Sequence, residues 1–162
     1  MRRLAIAVAI TIGAAGCGSS NSTPAPSNIT VFTVPLSAQN ENPPITNAEK
    51  DARGTAVITI NSQANTIDFN VSLTGFTSTS SVNIAHIHGP NAPAGVNAPI
   101  LVNTSLSPGT VNLVNGAGTF SFPGVTPTNA DIIPQILANP QNFYFNVHTA
   151  LNGSGAVRGQ LK

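Results

Sequence analysis

From Ile29 onward the chain alternates apolar and polar residues with a period of two, and that pattern restricts it to half-buried β-strands. Ile67, Phe69, Val71 and Leu73 interleave with Asp68, Asn70 and Ser72, so one face of this segment belongs to a core and the other to water. β-Branched residues punctuated by Gly, Pro and Asn predict strands over 30–36, 54–61, 66–73, 82–88, 100–104, 110–114, 119–122, 143–149 and 156–161. Ser62-Gln63-Ala64-Asn65 joins the second and third as a hairpin. The single helical pattern is 128–138, with Thr128 or Asn129 as cap and Ile132, Ile133, Ile136 and Leu137 as its apolar stripe. Pro134 keeps that helix short unless it falls in the first turn. The class this predicts is all-β: an antiparallel β-sandwich or Greek-key barrel of about eight strands with one short helical insertion.

Charge is scarce. Only 7% of the 162 residues are charged and the net charge is +1, against roughly 25% charged residues in ordinary soluble domains. The body of the chain has no Lys/Arg cluster, and without that electrostatic footprint nucleic acid is excluded as a partner. The two arginines nearest the start, Arg2 and Arg3, precede an apolar run from Leu4 to Ala15 and then Gly16-Cys17. That run is shorter than the ~20 residues a spanning helix needs, and it fits an export signal over 1–16. Ala14-Ala15-Gly16-Cys17 resembles the lipobox of bacterial lipoproteins, and the chain's single cysteine stands at the cleavage point with no disulfide partner. Residues 17–28, rich in Ser, Asn and Pro, suit a tether. After cleavage Lys50, Arg53, Arg158 and Lys162 face Glu41, Glu49, Asp51, Asp68 and Asp131, a balance near −1. The expectation is a domain over 29–162 held by lipid on Cys17 at the bacterial cell envelope, on the outer membrane or the outer face of the cell membrane.

The three histidines carry the chemistry. His86 and His88 lie two apart in a strand pattern, so their rings share a face about 6.5 to 7 Å apart at Cα. In Phe143 to Thr149 the core face is Phe143, Phe145 and Val147, which sends Tyr144, Asn146 and His148 to the outer, solvent side. If the two strands are neighbours, His86, His88 and His148 form one patch, a three-imidazole set of the kind that suits copper or zinc, as well as iron or nickel. The other reading is that each imidazole bonds a backbone carbonyl and closes a loop. Arg158 and Gln160 alternate with Val157 and Leu161, so they too face outward, bordering His148. Arg158 is read either there or as a clamp on a carboxylate or carbonyl. Glu41, just before Pro43-Pro44, is the acid placed to pair with it. The loop 89–99, stiffened by Pro90, Pro93 and Pro99, should lie over or beside the patch. The sequence offers no catalytic nucleophile: no Ser stands in a motif with an evident His and acid relay, and phosphate-binding and zinc-protease motifs are missing.

The segments Leu36-Ser37-Ala38-Gln39 with Glu41-Asn42-Pro43-Pro44, then Gly54-Thr55-Ala56, Ala85-His86-Ile87-His88-Gly89-Pro90, Asn146-Val147-His148-Thr149 and Val157-Arg158-Gly159-Gln160-Leu161 occur in one order. Together they resemble the CHRD (chordin-type) domain, over about residues 31–162. Ala156 stands where that family usually places an acid. The resemblance implies an extracytoplasmic β-sandwich that acts as a non-catalytic binding module for an envelope or extracellular ligand. More remotely, His-x-His-Gly, Val-His-Thr and a late Arg are similar to the copper half of copper-zinc superoxide dismutases. That likeness matches His86, His88 and His148 to copper ligands and Arg158 to an anion-guiding arginine, on a Greek-key barrel; the expected arrangement is immunoglobulin-like or superoxide-dismutase-like. The bridging histidine, the zinc cluster and the cysteine pair of those enzymes have no counterpart here, so dismutase activity does not follow. A binding module is the leading expectation, a mononuclear copper redox or electron-transfer protein the second, and a structural spacer the third.

Overall fold

In the computed structural model, which describes residues 27–162, the alternating segments form nine strands: β1 (Ile29–Ser37), β2 (Arg53–Asn61), β3 (Thr66–Thr74), β4 (Ser81–His88), β5 (Ile100–Asn103), β6 (Val111–Asn112), β7 (Gly118–Val125), β8 (Tyr144–Thr149) and β9 (Val157–Gln160). The export signal, Cys17 and most of the expected tether lie outside the described residues. Strand β6 is shorter than expected because the chain turns at Asn115 and Gly116, both at positive φ, and only the isolated bridge Val114↔Ala117 extends the pairing. The helix α1 runs Ile132–Ala138, starting after the expected caps. Pro134 thereby falls in its first turn, where its missing N–H costs no helical bond. Asn129 Oδ1 instead accepts the Asp131 N–H at 2.9 Å in the turn that leads in.

All pairings are antiparallel, and they join the strands into one sheet in the order β5-β4-β8-β9-β1-β2-β3-β7, with β6 also on β4. The sheet curls into a half-barrel rather than splitting into two hydrogen-bonded sheets. Its ends approach where β6, on β4, passes through the Val114–Ala117 turn into β7. Inside the curl lie Val34, Leu36, Ile58, Ile60, Ile67, Phe69, Ile87, Phe145 and Val147, with Ile133 and Ile136 of α1 in the same cluster. Phe69 and Phe145 stack at 5.5 Å between ring centroids, tying β3 to β8 across the core. An irregularity between Val82 and Ile84 in the β4–β8 pairing shifts the phase, so that Val82, Ala85 and Ile87 are all core residues.

The register positions everything that follows. His86 pairs with Asn146 and Asn146 with Arg158, a row across β4, β8 and β9; His88, Tyr144 and Gln160 form the next row, and His148 stands opposite Ile84. These side chains share the face turned away from the core, as the alternation predicts. That face is not wet, however: every residue of β8 is buried. The segment after β1, the loop 89–99 and the loop 150–155 fold over it, through contacts made by side chains from all three strands.

Candidate metal centre

His86, His88 and His148 are buried side by side, each offering a ring nitrogen, and those nitrogens all lie within 4.8 Å of one another. The expectation that the rings face solvent is corrected: they retain only 2%, 8% and 6% exposure. Covering segments are the reason, since alternation along a strand fixes which face a residue takes but not whether a distant loop roofs it. Nδ1 of His88 lies 2.9 Å from the Ala98 carbonyl and Nδ1 of His148 lies 3.0 Å from that of Gly153. A carbonyl only accepts, so each Nδ1 carries the proton and each Nε2 presents a lone pair. His148 Nε2 points at His86 Nδ1, 3.3 Å away. His88 Nε2 is buried with no hydrogen-bond partner.

Two of the rings bond backbone carbonyls and close loops, and each of the three still offers a nitrogen to the cluster. This is the arrangement that orients metal-binding imidazoles, because an outer hydrogen bond fixes the tautomer and raises ligand basicity. Burial, reinforced by the neighbouring rings, lowers the His86 pKa to about 4. Burial also lowers those of His88 and His148, against the opposing pull of their carbonyl bonds. All three are therefore neutral at pH 7, the form that ligates.

Tyr144, Arg158 and Glu41 surround the cluster. The Tyr144 ring stacks on His88 at 4.7 Å and 3°, and the Arg158 guanidinium lies 4.4 Å from its centroid. Arg158 is 2% exposed rather than outward in solvent. It acts as a clamp on the covering loop, its Nη1 donating to Asn97 Oδ1 at 2.8 Å. Tyr144 Oη takes the Ala98 N–H at 3.4 Å, and Gln160 Nε2 donates to the Ala92 and Gln141 carbonyls. Glu41 lies in the field of Arg158, but its hydrogen bond is to Asn146 Nδ2, at 2.9 Å. Burial raises its pKa to about 7 despite Arg158 and Asn146. A cleft of about 560 Å³ opens beside Glu41, Arg158, Gln160 and Lys162, and a smaller one of about 270 Å³ lies between Glu41 and Gly153.

Sequence reasoning missed two residues. Asn146 reads as one more outward polar residue, yet it bridges the histidine row to Glu41. Glu49 stands in the run Glu49-Lys50-Asp51, which looks solvated, yet it is fully buried. Its carboxylate accepts from Ser80 Oγ, Thr149 Oγ1 at 2.7 Å and Asn152 Nδ2 at 2.6 Å, fastening three segments beside His148. No local signal marks it, because its partners come from loops far apart in the chain.

The curled antiparallel sheet with its roofed polar face makes this an all-β domain, and no helix among the described residues is long and apolar enough to cross a membrane. The chain belongs to the CHRD family: the CHRD domain model matches residues 32–161. Comparison with curated proteins and with solved structures gives no match.

Proposed function

We propose that this chain is a lipid-anchored CHRD module of the bacterial cell envelope that binds a transition-metal ion, copper or zinc, through His86, His88 and His148. The observation that carries the reading is the convergence of three neutral ring nitrogens within 4.8 Å, one of them, His88 Nε2, buried without a partner. A lone pair left unpaired inside a protein costs about 1–3 kcal/mol, and an ion at the focus of the three rings would relieve that cost. The donor set is all imidazole, which suits copper and zinc rather than calcium. Metal–nitrogen bonds of ~2.0–2.1 Å put tetrahedral ligand nitrogens roughly 3.4 Å apart, which the 3.3 Å His86–His148 pair already meets; separations toward the 4.8 Å limit close by a small ring movement when the ion binds.

Enclosure shapes what such a centre does. With the rings at most 8% exposed, an ion there is held away from bulky substrates, which favours binding over turnover of a large molecule. A mononuclear copper redox or electron-transfer role is compatible with the same enclosure, since an electron needs no open path. Titration of the full chain with zinc(II) and copper(II) tests the reading. Submicromolar binding of one ion, lost in His86→Ala and His148→Ala, is expected; no binding by the wild type overturns it and leaves the rings as loop fasteners. Reversible copper reduction with unchanged ligation would then favour the redox role.

A further inference from the structure

Among the described residues three buried side-chain polar atoms have no hydrogen-bond partner: His88 Nε2, Asn146 Oδ1 and Arg158 Nη2. The first two are acceptors on the same face of the β4–β8 pair, where Asn146 is the cross-strand partner of His86 and stands two residues before His148. Asn146 also lies close enough to His88 for its side chain to favour the protonated ring. With the His88 proton on Nδ1, facing Ala98, its Nε2 and the Asn146 amide oxygen are two buried acceptors without a hydrogen-bond donor. A cation is what such a pair lacks.

While Glu41 is ionised, the amide cannot simply turn round. Its Nδ2 donates to Glu41 Oε1 at 2.9 Å, and reversing it would set Oδ1 against a carboxylate oxygen. Gly155 leaves room for this contact, since a Cβ there would overlap Asn146 Nδ2 and come 2.8 Å from both Glu41 oxygens. The bond to Glu41 thus fixes the Asn146 amide with its Oδ1 turned away from the carboxylate, as outer carboxylates orient metal-binding imidazoles.

We propose that Asn146 is the fourth ligand of the histidine site, its Oδ1 closing a three-nitrogen, one-oxygen sphere around the ion with Glu41 as the residue that orients it. This rests on the metal reading above and adds a protein oxygen where a water would otherwise bind. The sphere is then complete without solvent, as in closed structural sites, whereas reactive sites keep an open position.

The full chain loaded with copper(II) in D2O, followed by electron spin-echo envelope modulation, tests it. The expected wild-type spectrum shows imidazole nitrogens and no deuterium modulation from a coordinated water. Asn146→Leu should gain that modulation and bind zinc(II) about ten- to hundredfold more weakly, the scale seen even for residues that only hydrogen-bond to a ligand, while the double exchange Asn146→Asp, Glu41→Gln, in which the Gln amide donates to the Asp carboxylate, restores the water-free spectrum. Coordinated D2O in the wild type, or an Asn146→Leu variant with unchanged spectrum and affinity, overturns the fourth ligand and leaves the three-histidine site standing. If Asn146→Leu does not fold, the wild-type spectrum alone decides. Failure of the wild type to bind either metal removes both.

Discussion

At the scale of single residues, the buried site places titrating groups of opposite tendency within a few ångströms. Glu41 is raised to about 7 by burial, so the folded state prefers its neutral carboxyl. Its contribution is present at low pH and is lost as pH rises from the ordinary carboxylate range through 7. Glu41→Gln keeps an acceptor for Asn146 Nδ2 and removes the charge. In the metal-free protein it should leave stability unchanged near pH 4 and raise it by about 2–3 kcal/mol at pH 8, read from urea unfolding at each pH. Equal stability of the two proteins at pH 8 would refute the buried, raised carboxyl. The histidines act in the other direction. Burial lowers His86 to about 4 and lowers His88 and His148 as well, so the unfolded chain binds protons first as pH falls. Stability from the neutral rings is therefore present above about 6.5 and drains away toward pH 4. His86→Gln should flatten that acid limb, and a limb as steep as the wild type's would sink the assignment. That the three rings take the outer face was legible in the sequence, because period two and the Phe143-Phe145-Val147 face fix the side of each histidine; that they meet follows only from the pairing of β4 with β8. Their burial was not legible, since Ala98 and Gly153 reach them from loops whose course no strand pattern encodes.

At the scale of elements, β9 is the joint on which the site depends. It pairs with β8 over four residues but with β1 through the single register pair Ser37↔Arg158, so the histidine-bearing strands and the β1–β2–β3 meander meet along a narrow seam. Gly159 sits in that seam, and a Cβ on it would overlap the Pro35 carbonyl oxygen. Backbone cannot yield as a flexible side chain does, so β9 must move off β1. Gly159→Ala should cost about 3 kcal/mol, at the upper end of ordinary overpacking, and should weaken metal binding because Arg158 no longer fastens the covering loop through Asn97. Wild-type stability together with wild-type zinc affinity would show that β9 carries no such load. The element boundaries were read well wherever alternation was long, as in β2 and β3. They were read less well where turn chemistry intervened: Asn115 and Gly116 cut β6 short, and Pro134 allowed α1 to begin only at Ile132. Sandwich and barrel both stay open in the sequence, because a strand's pattern shows which face is buried but not whether the sheet facing it is a separate one.

At the scale of the whole molecule, the described residues hold the candidate metal centre, and attachment to a membrane is a separate matter of surface and sequence. Among these residues the only helix longer than one turn is the seven-residue α1, and the exposed large hydrophobics, among them Val31, Ile100, Val114 and Leu151, are distributed over separate strands and loops. Scattered apolar residues of this kind are normal on a soluble surface and give no insertion face. If the chain is retained at a membrane, the attachment has to come from the sequence before Ile29, where Cys17 in Ala14-Ala15-Gly16-Cys17 offers a site for lipid. Residues 18–28 would then span at most about 40 Å when fully extended, which keeps the domain next to the bilayer. More than one acyl chain on that cysteine would make the attachment durable, whereas a single chain holds only marginally. Cys17→Ser in the full chain should therefore move the protein from the detergent phase to the aqueous phase in Triton X-114 partitioning. Its far-ultraviolet circular dichroism and its zinc affinity should stay at wild-type values, because the strands and the three histidines lie between Ile29 and Gln160. A mutant that still partitions into detergent would mean that the folded domain itself holds the membrane, and the scattered apolar surface of β1, β5 and the 150–155 loop would become the place to look.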